Sequence, residues 1–118
     1  MTVQELIALT GAENMTPEAD TSKAVSCGYT CDLLSWVMAH GQAGMAWITV
    51  QTHMNVIAVA SLMEMAAVIL PEGVEMEGPS LEKAREEGVV VLQSAKTAYE
   101  LCAMMAGAGL PGSPREEA

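Results

Sequence analysis

The stretch Met45 to Leu70, MAWITVQTHMNVIAVASLMEMAAVIL, decides how the chain folds. It opens with Ala46 to Val50, a run of aromatic and β-branched side chains with strand character. The polar turn Gln51 to Asn55 follows, then Val56 to Met63 at helical spacing, then Ala67 to Leu70 as a second strand. Strand, turn, helix and strand in so short a span make a parallel β-α-β unit with a right-handed crossover. A membrane span is the competing reading of so apolar a run, and it needs about 20 mostly apolar residues. Here Gln51, Thr52, His53 and Asn55 break the run, and Glu64 lies in what remains.

The flanks repeat the unit. Towards the N-terminus, Val25 to Tyr29 reads as a strand and Asp32 as the N-cap of a helix to His40. That helix has Leu33, Leu34, Val37 and Met38 on one face and is stopped by Gly41 in the usual C′ manner. Towards the C-terminus, Pro71 to Pro79 is a Glu-rich loop, Ser80 caps a helix ended by Gly88, and Val89 to Leu92 is a fourth strand. Ser94 caps the last helix, whose stripe of Ala98, Leu101, Cys102 and Met105 places Cys102 in the core. At the start, Thr2-x-x-Glu5 is a capping box for a short helix ended by Gly11, while Ala12 to Lys23 reads as a connection without a strand. The predicted fold is α/β: a largely parallel four-stranded sheet flanked by helices, in the order β-α-β-α-β-α-β-α after a short N-terminal helix. Residues 1–110 form a single domain, and 111–118 a disordered tail.

Composition narrows the function. At 118 residues the chain is one domain, and half of it is hydrophobic, with ten Met and no Phe, so the core is aliphatic and thioether. Fifteen carboxylates against five basic residues give a net charge of -10, which repels phosphate backbones and anionic headgroups. Neither nucleic acid nor a membrane is an expected partner. The start lacks a basic, apolar leader, and three cysteines without a CxxC spacing suit a reducing compartment, so the expected location is the cytoplasm.

In a parallel sheet, ligands bind beyond the carboxyl ends of the strands. Three loops are expected there, Thr30 to Asp32, Gln51 to Asn55 and Gln93 to Thr97. They bring Asp32, Gln51, Thr52, His53, Asn55, Ser94, Lys96 and Thr97 towards one place. Free amides at the helix starts and the Lys96 cation suit a small phosphate or carboxylate. Taken singly, Asp32, Asn55 and Ser94 read as helix caps. The helix Val56 to Met63 is apolar nearly all round and so needs cover on more than one side. This makes Val56, Ile57 and Leu62 a candidate face for a homodimer. Trp36 stands at the flank of its own helix, as a surface residue or a partner contact.

Reaction chemistry is poorly supplied. The sequence has no GxxxxGK[ST] phosphate loop, and Cys27, Cys31, His40 and His53 match no common zinc spacing, so neither cofactor nor metal is expected. Cys31, just ahead of a helix start, with His53 as a base, is the one arrangement that allows cysteine catalysis.

Three segments carry a family resemblance: Gly28-Tyr29-Thr30-Cys31-Asp32-Leu33-Leu34-Ser35, the run Trp47 to Ala60, and Ala84 to Leu92. The chain resembles the stand-alone DRTGG domains of bacteria. These are also found fused to CBS-containing pyrophosphatases and phosphotransacetylases and are related to the N-terminal domain of HPr kinase. Thr49 to His53 stands where relatives often carry a Gly-Asp-Arg or Gly-Gly turn. The resemblance implies a regulatory, dimer-forming module, without the separate P-loop domain that carries the kinase activity. The leading expectation is therefore a non-catalytic regulatory or ligand-sensing homodimer that binds a small phosphate compound or nucleotide. The alternatives are an adaptor for a larger client enzyme and, third, a small enzyme using Cys31 and His53.

Overall fold

The computed structural model describes residues 1–113. In chain order the elements are α1 (Val3–Thr10), β1 (Glu13–Asn14), β2 (Cys27–Thr30), α2 (Leu34–His40), β3 (Met45–Ile48), α3 (Met54–Leu62), β4 (Ala67–Leu70), α4 (Gly78–Glu87), β5 (Val91–Gln93) and α5 (Ala98–Gly107). They form a five-stranded sheet in the order β1-β5-β4-β3-β2, in which the last four strands are parallel and β1 is antiparallel to β5. The α/β class with a largely parallel sheet is as expected, and the sheet has one strand more than the four expected.

Every residue of β3 and β4 is buried, as strands covered on both faces must be. The two-residue alternation of a strand then sorts them by face. Met45, Trp47, Val68, Leu70 and Val91 pack with Val37 of α2, Val56 and Val59 of α3 and Ala84 of α4. Ala46, Ile48, Ala67, Ile69 and Leu92 pack with Val3 and Leu6 of α1 and with Leu101 and Met105 of α5. Three helices thus share one face and two the other. Right-handed crossovers require this, because each successive strand is added on the same side of the last, so α2, α3 and α4 must fall on the same face.

The additional strand comes from the segment expected to be a plain connection. Glu13 and Asn14 pair with Gln93 and Leu92. Beyond them the buried Thr16 hydroxyl donates to the Val89 carbonyl (3.0 Å) and accepts from the Val91 amide (3.0 Å), continuing the ladder with a side chain. Two polar residues followed by Pro17 carry no strand period, so their pairing comes from β5.

Several helix ends differ from expectation. The Thr2–Glu5 capping box and the left-handed Gly11 are present. α2 starts one residue late, with Leu33 as an N-cap that lacks a side-chain bond. Gly41 has φ -65° and ψ 152°, not the left-handed conformation; a Cβ there would meet the Val37 carbonyl at 2.7 Å. Of the expected apolar face of α2 only Val37 is fully buried and Leu34 partly so, because α2 lies at the end of its layer. Ser80 is not a cap: α4 begins at Gly78, and Ser80 is buried inside its first turn. α5 is capped by Thr97, not Ser94. Cys102 is exposed, not core. The carbonyl of Pro111 accepts the Gly28 amide at 2.9 Å, so the chain stays against β2 past the expected domain end; 114–118 of the expected tail lie outside the described residues. Among those described, no helix is long and apolar enough to cross a membrane.

Trp47 is the largest fully buried side chain, and its indole Nε1 donates to the Cys31 carbonyl at 2.8 Å. Trp47→Ala removes this packing and leaves a cavity, with an expected cost of about 3–5 kcal/mol, readable from urea unfolding. A loss below about 1 kcal/mol would show that the core closes without it.

Candidate functional site

The loops that follow β2, β3, β4 and β5 all open on one edge of the sheet. Four loops meet there, since the turn after β4 adds Pro71 to Gly73 to the three expected. Between them lies a cleft of about 160 Å³ lined by Thr30, Asp32, Ile48, Thr49, Val50, Pro71, Glu72 and Ala98. Asp32 is the one member of the expected constellation that lines it. Glu72 was missed, although the Pro71-Glu72-Gly73 turn directly after an apolar strand is a readable signal for a residue at this edge.

The expected residues divide into groups according to their hydrogen bonds. On one wall, Asp32 does not cap α2. Its Oδ1 accepts from the Thr49 hydroxyl (2.8 Å) and the Val50 amide (3.0 Å). Thr49 Oγ1 in turn accepts the Gln51 amide (3.2 Å), and Gln51 Nε2 donates to the Asp32 carbonyl (3.1 Å). Asp32, Thr49 and Gln51 thereby lock the loop after β2 onto the loop after β3. Opposite, the amides of Glu72 and Gly73 donate to the carbonyls of Lys96 and Ser94 (2.8 and 2.9 Å), and the Ser94 hydroxyl accepts the Lys96 amide (3.1 Å).

The remaining residues point elsewhere. Thr52 donates to Glu77 Oε2 (3.1 Å), and its carbonyl accepts the buried Ser80 hydroxyl (2.7 Å), which fastens the start of α3 to α4. His53 is the N-cap of α3, its Nδ1 accepting the Asn55 amide at 3.1 Å, so the cap expected at Asn55 is supplied by His53. Asn55 lines a groove between α2 and α3 instead. Lys96, expected to face an anion, reaches away to the Thr10 carbonyl (3.0 Å) and holds α1. Thr97 forms a capping box with Glu100. Val56 and Ile57, expected at a dimer face, have no exposed surface: they fill the core beneath α3, covered by the chain's own sheet and neighbouring helices. Leu62 and Trp36 are exposed.

Two consequences follow for charge and chemistry. The starts of α3 and α5 carry their own side-chain caps, and the cleft is flanked by the carboxylates Asp32 and Glu72, so its mouth is acidic. Cys31 Sγ lies 3.8 Å from the Leu33 carbonyl, and His53 Nδ1 is occupied by a backbone amide; among the described residues no hydrogen bond joins the two. Burial raises the Cys27 thiol above its ordinary value, which suits a packing thiol and not a thiolate. No group of three or more His, Cys, Asp or Glu among the described residues is arranged to hold a metal ion.

Removing the Asp32 carboxylate strands the buried Thr49 hydroxyl, so Asp32→Ala is expected to cost about 1–3 kcal/mol. Asp32→Asn, which keeps an acceptor oxygen, is expected to cost less; equal losses in urea unfolding would deny the network its role. Glu100 shows a pH signature. The Thr97 amide and then the Thr97 hydroxyl hold its carboxyl below the usual value. The stabilisation is therefore complete above the ordinary carboxylate range and is lost as pH falls through the lowered value. Glu100→Gln is expected to lower the melting temperature slightly at neutral pH, and the gap should close on acidification.

Comparison with known proteins bears on the fold. No protein-family model matches the sequence, and no curated protein matches it. Among solved structures, the chain is similar to the CBS and DRTGG domains of the regulatory region of Clostridium perfringens pyrophosphatase, a structure complexed with the activator diadenosine tetraphosphate. The TM-score is 0.68 at 13% sequence identity, over 93% of this chain and 47% of that chain. This chain thus spans about half the length of that regulatory region, and what the two share is the fold.

Proposed function

We propose that the chain is a non-catalytic regulatory module of the DRTGG kind, a homodimer that senses a small phosphate-bearing ligand or nucleotide. The observation that carries this reading is the likeness in fold to a regulatory region crystallised with diadenosine tetraphosphate. The polar side chains support it. Asp32, Thr49, Gln51, Thr52, Ser80, His53 and Thr97 are each engaged in holding loops and helix starts together. Such groups set the shape of an edge and need not act on a bond.

In this reading the ligand occupies the cleft between Asp32 and Glu72, and the charge there sets a condition. A bare polyphosphate meets two carboxylates and a chain of net charge -10. A phosphate ester accompanied by a divalent cation meets a complementary mouth, since carboxylates and phosphate oxygens are both ligands for Mg²⁺. Diadenosine tetraphosphate and ATP, each with and without Mg²⁺, are therefore the compounds to test by thermal shift. A ligand at a hundred times its Kd contributes about 2.7 kcal/mol, a rise on the order of 10 °C for a domain of this size. The expected result is a rise that needs Mg²⁺ and is lost in Glu72→Arg. No rise with either compound in either condition would overturn the ligand reading.

A further inference from the structure

Of the five described helices, only α2 and α3 carry no charged residue. Neither Leu34–His40 nor Met54–Leu62 contains an Asp, Glu, Lys or Arg, in a chain that carries twenty such residues. Between them runs a groove of about 290 Å³ lined by Leu34, Met38, Asn55, Ala58, Val59 and Leu62. Leu62 stands at its edge with 72% of its surface exposed, and Met38 is 54% exposed. On the other flank of α2, Trp36 stacks on His40 with ring centroids 4.1 Å apart, which holds another apolar surface in place. The expected dimer face lies on these helices, but its residues change: Val56 and Ile57 are core, while Leu62 and Met38 face outward.

We infer that this face is where two copies of the chain meet, α3 against α3, with Leu62 of each seated in the α2–α3 groove of the other. The inference rests on the homodimer reading above and supplies its surface. Charge selects the occupant. Two chains of net charge -10 repel wherever carboxylates approach within a Debye length of about 8 Å at physiological salt, and this face is where neither copy presents one. A two-fold interface must also be self-complementary, so that a projection on one copy finds a recess on the other. Leu62 beside the groove supplies both parts. Glu64, just past the end of α3, leaves residual repulsion at the rim, so association should strengthen with salt.

Sedimentation velocity from about 5 to 200 µM, a range suited to interfaces at the small end of the size scale, at low and high NaCl tests this directly. The expected result is a monomer–dimer equilibrium shifted towards dimer by salt, with Leu62→Glu raising the dissociation constant at least about tenfold, roughly 1.4 kcal/mol. Leu62→Met, which keeps the volume, retains the dimer. Leu62 is mostly exposed, so the Glu variant should keep its circular dichroism; Met38→Glu serves if it does not. Tyr99→Glu, at a still more exposed position on α5, is the control that leaves the dimer intact. A dimer that survives both Leu62→Glu and Met38→Glu would overturn the face while leaving the homodimer reading standing. A monomer at every concentration and salt would end both.

Discussion

The indole of Trp47 connects the core to the edge of the sheet where the loops meet. Its ring is fully buried among residues of α2, α3 and α4, and a buried N–H demands a partner. The partner is the Cys31 carbonyl, the first residue beyond β2. That bond holds the chain where it leaves β2 beside β3, and the adjacent Asp32 then accepts the Thr49 hydroxyl and the Val50 amide. One hydrophobic anchor thus places the loop, and the loop places the carboxylate at the mouth of the cleft.

The direction in which the strands are added shapes what the edge can become. From β2 to β5 every crossover runs the same way, so the parallel strands contain no reversal of order, and only α5, after β5, leaves to the opposite face from α2, α3 and α4. Loops meeting along such an edge are free to bond to one another. Here they do: Gln51 to Asp32, Thr52 and Ser80 across to α4, Glu72 to Lys96. What remains is a shallow cleft with an acidic rim.

Glycine and methionine do the close fitting. A Cβ at Gly28 would lie 2.9 Å from the Cε of Met105, so the flexible end of that side chain fills the space the glycine leaves between α5 and β2. Without Phe, and with Met at 15, 45, 63, 65, 76 and 105 in or against the two clusters, the core fills irregular gaps with flexible thioethers. Tyr29 adds a polar tip to this layer; its hydroxyl is buried without a partner among the described residues, and burial leads the causes that raise its pKa.

The sequence by itself determined the class of fold and most of its parts. The alternation in Met45 to Leu70 and its repeats dictates β-α-β units; the Thr2–Glu5 box and Gly11 mark the first helix, because these signals act within four residues of one another. Tertiary structure decided the rest, and in each case the deciding partner is remote in the chain. β1 exists because β5 offers it a free edge, 73 residues away at the Thr16–Val89 bond. Asp32, a cap by local rules, is claimed by Thr49 and Val50; Lys96, a free cation by local rules, is claimed by the Thr10 carbonyl. Val56, Ile57 and Leu62 look alike as letters on an apolar helix. Which of them are core and which is surface was settled by the single layer of helices around α3, a consequence of crossover direction that no local pattern encodes.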